Sequence, residues 1–296
     1  MTAGNLVRIL SRNAYTPSHS LVSVVRGDLT SFADLRRAVY GCSEIFHCAA
    51  EKVDGSRMSE VNVKATALLY NLAVDSSARF FCQLSSVGAI GRTDSHIVDE
   101  STSCNPMNRY EQTKLEAEEI LSKGLQRGNI VILRPTNIFG RETLAQWSNK
   151  TMLGSARRLL TGNERAHLVY VKDVAAAAVY LWRQSPDARV NVYIVSSDEE
   201  AGNTNREVQA WLASRIPGFP NAHRVSAPIL VPYWMRRVSG KTVNRGNIVY
   251  SSRKLRNAGF RFPFGLEAGL ADATGLFTTF ADDRSPESGS LGCSQG

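Results

Sequence analysis

Two periods alternate along this chain, and that alternation limits its fold more than any other feature. Short apolar runs are separated by stretches whose apolar residues recur at helical spacing. Leu6–Leu10, Leu21–Val25, Glu44–Cys48, Phe80–Leu84 and Ile130–Leu133 read as strands. Between them, Phe32, Leu35, Ala38 and Val39 mark a helix capped by Thr30 or Ser31. Met58, Val61, Ala65, Leu68, Leu69 and Leu72 mark a second helix, and a third runs through Tyr110 to about Leu125. Strands that alternate with helices build βαβ units, and such units build a parallel sheet with helices on its faces.

Beyond residue 140 the pattern loosens. Leu168–Tyr170 and Val190–Ile194 read as strands; Val174–Trp182, Asn205–Arg215 and Leu266–Phe277 read as helices. Residues 282–296 are rich in Ser, Gly and Pro and are expected to be a disordered tail. The expected organisation is a doubly wound, Rossmann-like α/β domain over residues 1–140 with parts of 166–195. A smaller lobe takes most of 141–280.

Composition narrows the function. The 296 residues are 43% hydrophobic and 21% charged, as in an ordinary globular protein. No run of about 18 apolar residues occurs, so no membrane partner is expected. The N-terminus has no basic segment leading into an apolar one and is no signal peptide. The net charge of +8 comes from scattered Lys and Arg, so nucleic acid is not expected either. A few such residues would serve an anionic substrate. Five cysteines form no Cys-x-x-Cys pair, which fits reduced thiols in a cytoplasmic protein. Five dispersed histidines give no metal site.

Chemistry concentrates at Tyr110-Glu-Gln-Thr-Lys114. Residues four apart on a helix share a face, so an ammonium there lies beside a phenol. That neighbour is expected to lower the phenol pKa from ~10 toward neutrality. Such a tyrosine exchanges a proton with an alcohol or ketone. Upstream, Leu84 ends a strand and Ser85-Ser86 follow at its carboxyl end, where parallel sheets bind ligands.

Together with Ser85-Ser86-Val-Gly-Ala-Ile-Gly91, this segment resembles the centre of the short-chain dehydrogenase/reductase superfamily. It is most similar to the extended branch of NAD-dependent epimerases and dehydratases. The resemblance makes Ser86, Tyr110 and Lys114 catalytic, with Ser85 closing the strand beside the cofactor. Other segments match in order. Gly27-Asp28-Leu29 resembles the adenine contact, and His47-Cys48-Ala49-Ala50 the turn along the cofactor's ribose and pyrophosphate. Asn62 resembles the asparagine that props the sheet. Leu133–Gly140 resembles the segment that passes the nicotinamide at Pro135 and offers Asn137 to substrate. Val171–Ala175 resembles the family's strand-to-helix junction. Arg165 stands one position off the family's diphosphate-binding arginine, and Arg245 is the better candidate.

One part of the pattern is missing. The family's first strand and its glycine-rich turn have no counterpart before Leu6, and Gly4 fits the end of the following helix instead. That turn supplies the backbone donors for the cofactor's pyrophosphate. The resemblance therefore implies NAD or NADP as cofactor, with weak or absent binding by this chain. Arg12, after the expected strand Leu6–Leu10, would meet an NADP 2′-phosphate. The implied function is a nucleotide-sugar epimerase, ketoreductase or dehydratase of surface-polysaccharide assembly, dimeric through the Tyr110 helix and a neighbour. The alternatives are a steroid- or flavonoid-type ketone reductase and a non-catalytic homologue.

Overall fold

In the computed structural model, the described residues are 4–14, 16–17, 19–123, 128–144, 147, 151–184, 190–239 and 244–275. In chain order they form β1 (Val7–Ser11), β2 (Val22–Arg26), α1 (Phe32–Val39), β3 (Glu44–His47), α2 (Ala65–Asp75), β4 (Phe80–Leu84), β5 (Ile97–Val98) and α3 (Arg109–Lys123). There follow β6 (Asn129–Pro135), β7 (Asn137–Phe139), α4 (Arg141–Leu144), α5 (Met152–Thr161), β8 (Leu168–Tyr170), α6 (Val171–Gln184) and β9 (Val190–Val195). The last are α7 (Asn205–Arg215), α8 (Leu230–Val238), β10 (Val249–Tyr250), α9 (Arg253–Asn257) and α10 (Gly265–Thr274). The expected tail at 282–296 and the ends of the expected helices at Leu125 and Phe277 lie outside the described residues.

The expected parallel sheet is present as β3-β4-β6-β9. Alternation along its strands decides which helices it meets. Phe80 and Cys82 of β4, with Val131 and Leu133 of β6, pack against Val174, Ala177 and Leu181 of α6. Phe81, Ile130 and Ile132 point the other way, onto Leu35 and Val39 of α1, Leu69 and Ala73 of α2 and Leu121 of α3. Helices on both faces make the fold doubly wound, as the sequence implied. A third apolar cluster joins β7 and β8 to α4, α7 and α10 through Phe139, Leu144, Leu168, Val208 and Leu270.

Sequence reading placed the main elements well and missed details set by packing. Ser31, not Thr30, caps α1, its side chain accepting from Asp34 N. The helix expected from Met58 opens with a π-helical segment, Ser59–Lys64, that buries Asn62. α5 and α8 were not foreseen; both keep apolar residues exposed, so neither shows a core-facing stripe.

β1 and β2 form a separate parallel pair, and no hydrogen bond joins β1 to β3 among the described residues. β1 and β3 are thus unpaired with each other at the place the resemblance gives to the family's first strand. Val7, Ile9 and Phe46 on the flanking strands remain more than a third exposed. α1 ties the two sheets together through Leu35 and Val39, with Leu10 and Ile45 in the same cluster. Gly4 has φ +65°, the left-handed backbone expected of a helix-terminating glycine.

Ahead of α3 the chain is fastened at Gly91. Asn105 N donates to Ile90 O at 2.7 Å and Arg92 N to Asn105 O at 2.8 Å. Gly91 has φ +68°, and a Cβ there would meet Asn105 O at 2.1 Å, a backbone atom that cannot swing aside. Gly91→Ala is expected to destabilise the fold by about 2–4 kcal/mol, since it combines backbone strain with a clash. Urea unfolding of the variant beside the parent chain measures this, and a difference within ~0.5 kcal/mol would contradict it.

Candidate active site

Helix α3 carries the site because its apolar-to-polar pattern turns one stripe onto the sheet's carboxyl end. Asn108 starts the helix, its Oδ1 accepting from Glu111 N at 3.0 Å. Tyr110, Lys114 and Glu118 then follow at four-residue intervals on one face. Lys114 is 3% exposed, and its Nζ donates to Leu84 O at 2.8 Å, at the end of β4. The same nitrogen sits 5.9 Å from the centre of the Tyr110 ring.

Glu118, one turn further, was not singled out in the sequence, yet it anchors the stripe. Arg134 of β6 donates Nη2 to Glu118 Oε2 at 2.6 Å and Nε to both oxygens at 3.1 Å. Ser85 Oγ donates a short hydrogen bond to Glu118 Oε1. All three residues are buried. Ser85 is thereby occupied structurally, and Ser86 is the serine left at the cleft. Ser86 has extended backbone and caps the turn Val87–Ala89, its Oγ accepting from Gly88 N at 3.0 Å.

A cavity of about 750 Å³ opens here. Ser85, Ser86, Tyr110, Pro135, Thr136 and Asn137 line one end. Arg157 and Arg158 of α5, Asn205 and Arg206 of α7, and His223 and Ser226 line the other, with Lys52 also on the wall. Among the described residues, no Asp or Glu lines it. The Thr136 and Ser226 hydroxyls are buried in this lining without a hydrogen-bond partner. Asn137 donates Nδ2 to Ala166 O at 2.9 Å, which fixes its position on the wall.

The structure therefore brings together Ser85, Ser86, Tyr110, Pro135 and Asn137, with Lys114 behind Tyr110. It does not bring the rest into this cavity. Arg245 is exposed and absent from the lining, and Arg165 donates to Asp198 O at 2.7 Å. The basic residues that do line the cavity come from α5 (Arg157, Arg158), α7 (Arg206) and the loop after β3 (Lys52), outside the family motifs. Arg12, Asp28, Leu29, His47, Ala49 and Ala50 also lie outside the lining. Arg12, Ala49 and Ala50 are exposed, and Leu29 packs on the α1–α2 cluster. Asp28 accepts from Thr30 N at 2.9 Å, and that bond holds its carboxyl below the ordinary range. His47 is buried with Nε2 3.0 Å from Thr66 Oγ1. Burial, and then the Lys114 charge, hold its pKa down to about 4, so it is neutral. Asn62 bonds Glu51 O at 2.8 Å and Thr113 Oγ1 at 3.0 Å, tying the loop after β3 to α3.

One electrostatic expectation is corrected. Burial, and then the Glu111 carboxylate, push the Tyr110 phenol above its ordinary value rather than toward neutrality. The Lys114 ammonium is spent on the Leu84 carbonyl, so desolvation of the phenol dominates. Desolvation also lowers Lys114, to about 8 from 10.5, although Glu118 opposes it.

The architecture and the site define a class: a doubly wound α/β protein with serine, tyrosine and lysine at the strands' carboxyl ends. The sequence profile of the NAD dependent epimerase/dehydratase family matches residues 1–206. The chain belongs to that family, as its motifs implied, and the family is one of enzymes. The chain is 25% identical to cinnamoyl-CoA reductase 1 of Petunia hybrida, over 81% of this chain and 72% of that one. It is 24% identical to N-acetyl-alpha-D-glucosaminyl-diphospho-ditrans,octacis-undecaprenol 4-epimerase of Escherichia coli O157:H7, over 82% and 80%. Among solved structures, MoeE5 in complex with UDP-glucuronic acid and NAD superposes with a TM-score of 0.72. That match is 21% identical and covers 94% of this chain and 92% of the other, so it shows the fold.

Lys114 gives a pH signature. Its pKa is about 8 in the fold and near 10.5 when exposed, so the unfolded chain binds more protons between those values. Stability should therefore rise with pH across that window and be lost again as pH falls through 8. The gain expected is on the order of 3 kcal/mol, at ~1.4 kcal/mol per pKa unit. Urea unfolding from pH 7.5 to 10 checks this against Lys114→Met, which should flatten the rise; identical slopes would refute it.

Proposed function

We propose that this chain is built for NAD(P)-dependent epimerisation, reduction or dehydration of a nucleotide-diphosphate sugar. The observation that carries the reading is the cavity lining: a serine and a tyrosine at one end, arginines at the other, and no carboxylate. An anionic substrate is favoured by such a wall, and a diphosphate would match the guanidinium groups of Arg157, Arg158 and Arg206. A neutral steroid-type ketone would offer a wall of this sign no anionic group. Surface-polysaccharide assembly, a cytoplasmic setting and a homodimer through α2 and α3 belong to the same proposal.

Ser86 Oγ holds the reacting oxygen of the sugar, and Tyr110 gives it a proton or takes one away. A phenol held above its ordinary value is protonated at neutral pH, so Tyr110 enters as the acid. Lys114 stabilises the phenolate left behind; its ammonium persists up to about pH 8. When bound, reduced NAD(P)H would supply the hydride that accompanies the Tyr110 proton onto a carbonyl.

The residues present fit that cofactor in part. Tyr110, Lys114 and Pro135 fit its nicotinamide end, and the orphaned Thr136 hydroxyl offers a donor there. Asp28, His47, Ala49 and Ala50 would meet its adenine, ribose and pyrophosphate flank. The gap between β1 and β3 leaves no glycine-rich turn for the pyrophosphate itself. Losing two or three charge-assisted hydrogen bonds at ~1.5–3 kcal/mol each moves a micromolar site to millimolar or weaker. Calorimetric titration of the 296-residue chain with NAD and with NADP should show that weakness; micromolar binding of either would overturn it.

The chemistry is tested in a chain extended at its N-terminus by a relative's strand and glycine-rich turn. There Tyr110→Phe should cut turnover by about 10²–10⁴ with little change in stability. Near-parental turnover of a UDP-sugar by that variant would sink the assignment.

A further inference from the structure

Helix α8 is folded inside out. Leu230, Val231, Trp234, Met235 and Val238 recur at i, i+1, i+4, i+5 and i+8, a single helical stripe. In a surface helix that stripe faces the core. Here all five side chains are between 41% and 86% exposed. The polar side faces in: Arg236 donates Nη1 to Oε1 of the buried Glu164 at 2.9 Å, and Pro232 is buried beside it. This ion pair holds the helix with its apolar face outward. α5 continues the exposure with Met152 and Leu153.

Charge identifies what this face meets. Between Glu207 and Glu267 the chain has no acidic residue, yet ten Lys and Arg fall there. That stretch alone carries more positive charge than the whole chain's net +8. Thr143 to Asn163, which includes α5, is likewise free of Asp and Glu. Arg237 is exposed on α8 beside the apolar stripe, and Arg224 is exposed in the loop that leads into the helix. Apolar residues with tryptophan, flanked by arginine and free of carboxylates, match the interface of an anionic bilayer. A second copy fits worse, because like arginines would meet across the contact. No described helix is long and apolar enough to cross a membrane, and lying on one needs neither property.

We infer that α8, with the start of α5, is a docking face for the surface of an anionic lipid bilayer. Docking also orients the cavity. His223 and Ser226 line it and lie in the loop that leads into α8. That loop is fastened to α5: Ala227 N donates to Leu159 O at 2.9 Å, and Asn163 Nδ2 donates to Ala227 O at 3.0 Å. A bilayer seated on α8 therefore lies at the arginine-lined end of the cleft. The inference rests on the helix's orientation and charge, independent of which substrate the cleft takes.

Co-sedimentation of the full chain with vesicles tests it. Binding is expected to phosphatidylcholine vesicles containing phosphatidylglycerol, weaker to pure phosphatidylcholine, and falling with salt. Leu230→Gln/Trp234→Gln should weaken binding by at least about tenfold, since the two side chains bury apolar surface in the interface. Arg237→Ala should weaken it roughly fivefold on the anionic vesicles alone. These side chains are exposed, so circular dichroism and melting should match the parent. A blue shift of Trp emission on adding anionic vesicles, lost in the double variant, reports insertion of Trp234. No sedimentation with anionic vesicles, equal binding to neutral ones, or dimerisation abolished by the same double variant would each overturn the proposal.

Discussion

The buried carboxylate of Glu118 is the point from which the site is built. It accepts from Arg134 and Ser85 at once, so the ends of β4 and β6 are locked to the middle of α3. A buried ion pair is weak evidence of net stability, because desolvation offsets most of the attraction. Its consequence is positional: removing either partner strands a charge, at a cost of about 3–5 kcal/mol, so the geometry has few alternatives. With Glu118 fixed, Lys114 and Tyr110 one and two turns earlier have one direction in which to point. Lys114 meets the Leu84 carbonyl, and Tyr110 reaches the cavity that Ser86 also lines.

The opposite side of the fold shows what happens when such a lock is missing. β1 and β3, each paired with its own neighbour, are held relative to one another through α1 and its contacts on the α2 side. Neither strand reaches the other, and Val7, Ile9 and Phe46 stay exposed on the flanks of the gap. Ser86 and Tyr110 line one cavity with Lys114 behind, while among the described residues no glycine-rich turn stands between β1 and β3. On the proposed function, side-chain chemistry and cofactor affinity would be separable, so that the Ser86, Tyr110 and Lys114 motif can coexist with an incomplete cradle.

The division also explains what could be read from sequence. Period and motif exposed the strands, the α3 stripe and Ser85-Ser86, because local spacing fixes which residues share a face. Glu118 stood four residues beyond Lys114, at the spacing already used for Tyr110, but its partner Arg134 is brought in by strand order. Arg157 and Arg206 reach the cavity through the lobe's tertiary packing, which no local pattern encodes. α8 was invisible for a sharper reason. Its apolar stripe is legible, but periodicity reports that a stripe exists and not whether it faces the core. The Arg236–Glu164 pair, between residues 72 positions apart, and the burial of Pro232 turn it outward. The Tyr110 phenol failed similarly: the neighbouring lysine was visible and the burial that outweighs it was not.

Seen as one field, the acid-free stretch from Val208 to Leu266 links cavity and surface. It supplies His223 and Ser226 to the cleft and Arg224 and Arg237 to the exposed face, and the Glu164 carboxylate set against α8 is paired with Arg236. A low-dielectric cavity with walls of one sign concentrates that potential toward its interior. An anion approaching along the α8 face would meet rising positive potential until it reached the arginine-lined end of the cleft. Its reacting carbon must lie beyond that end, toward Ser86 and Tyr110. On the proposed function, the arginines would do more than hold charge: by fixing one end of the substrate they would set the distance at which its other end meets the phenol.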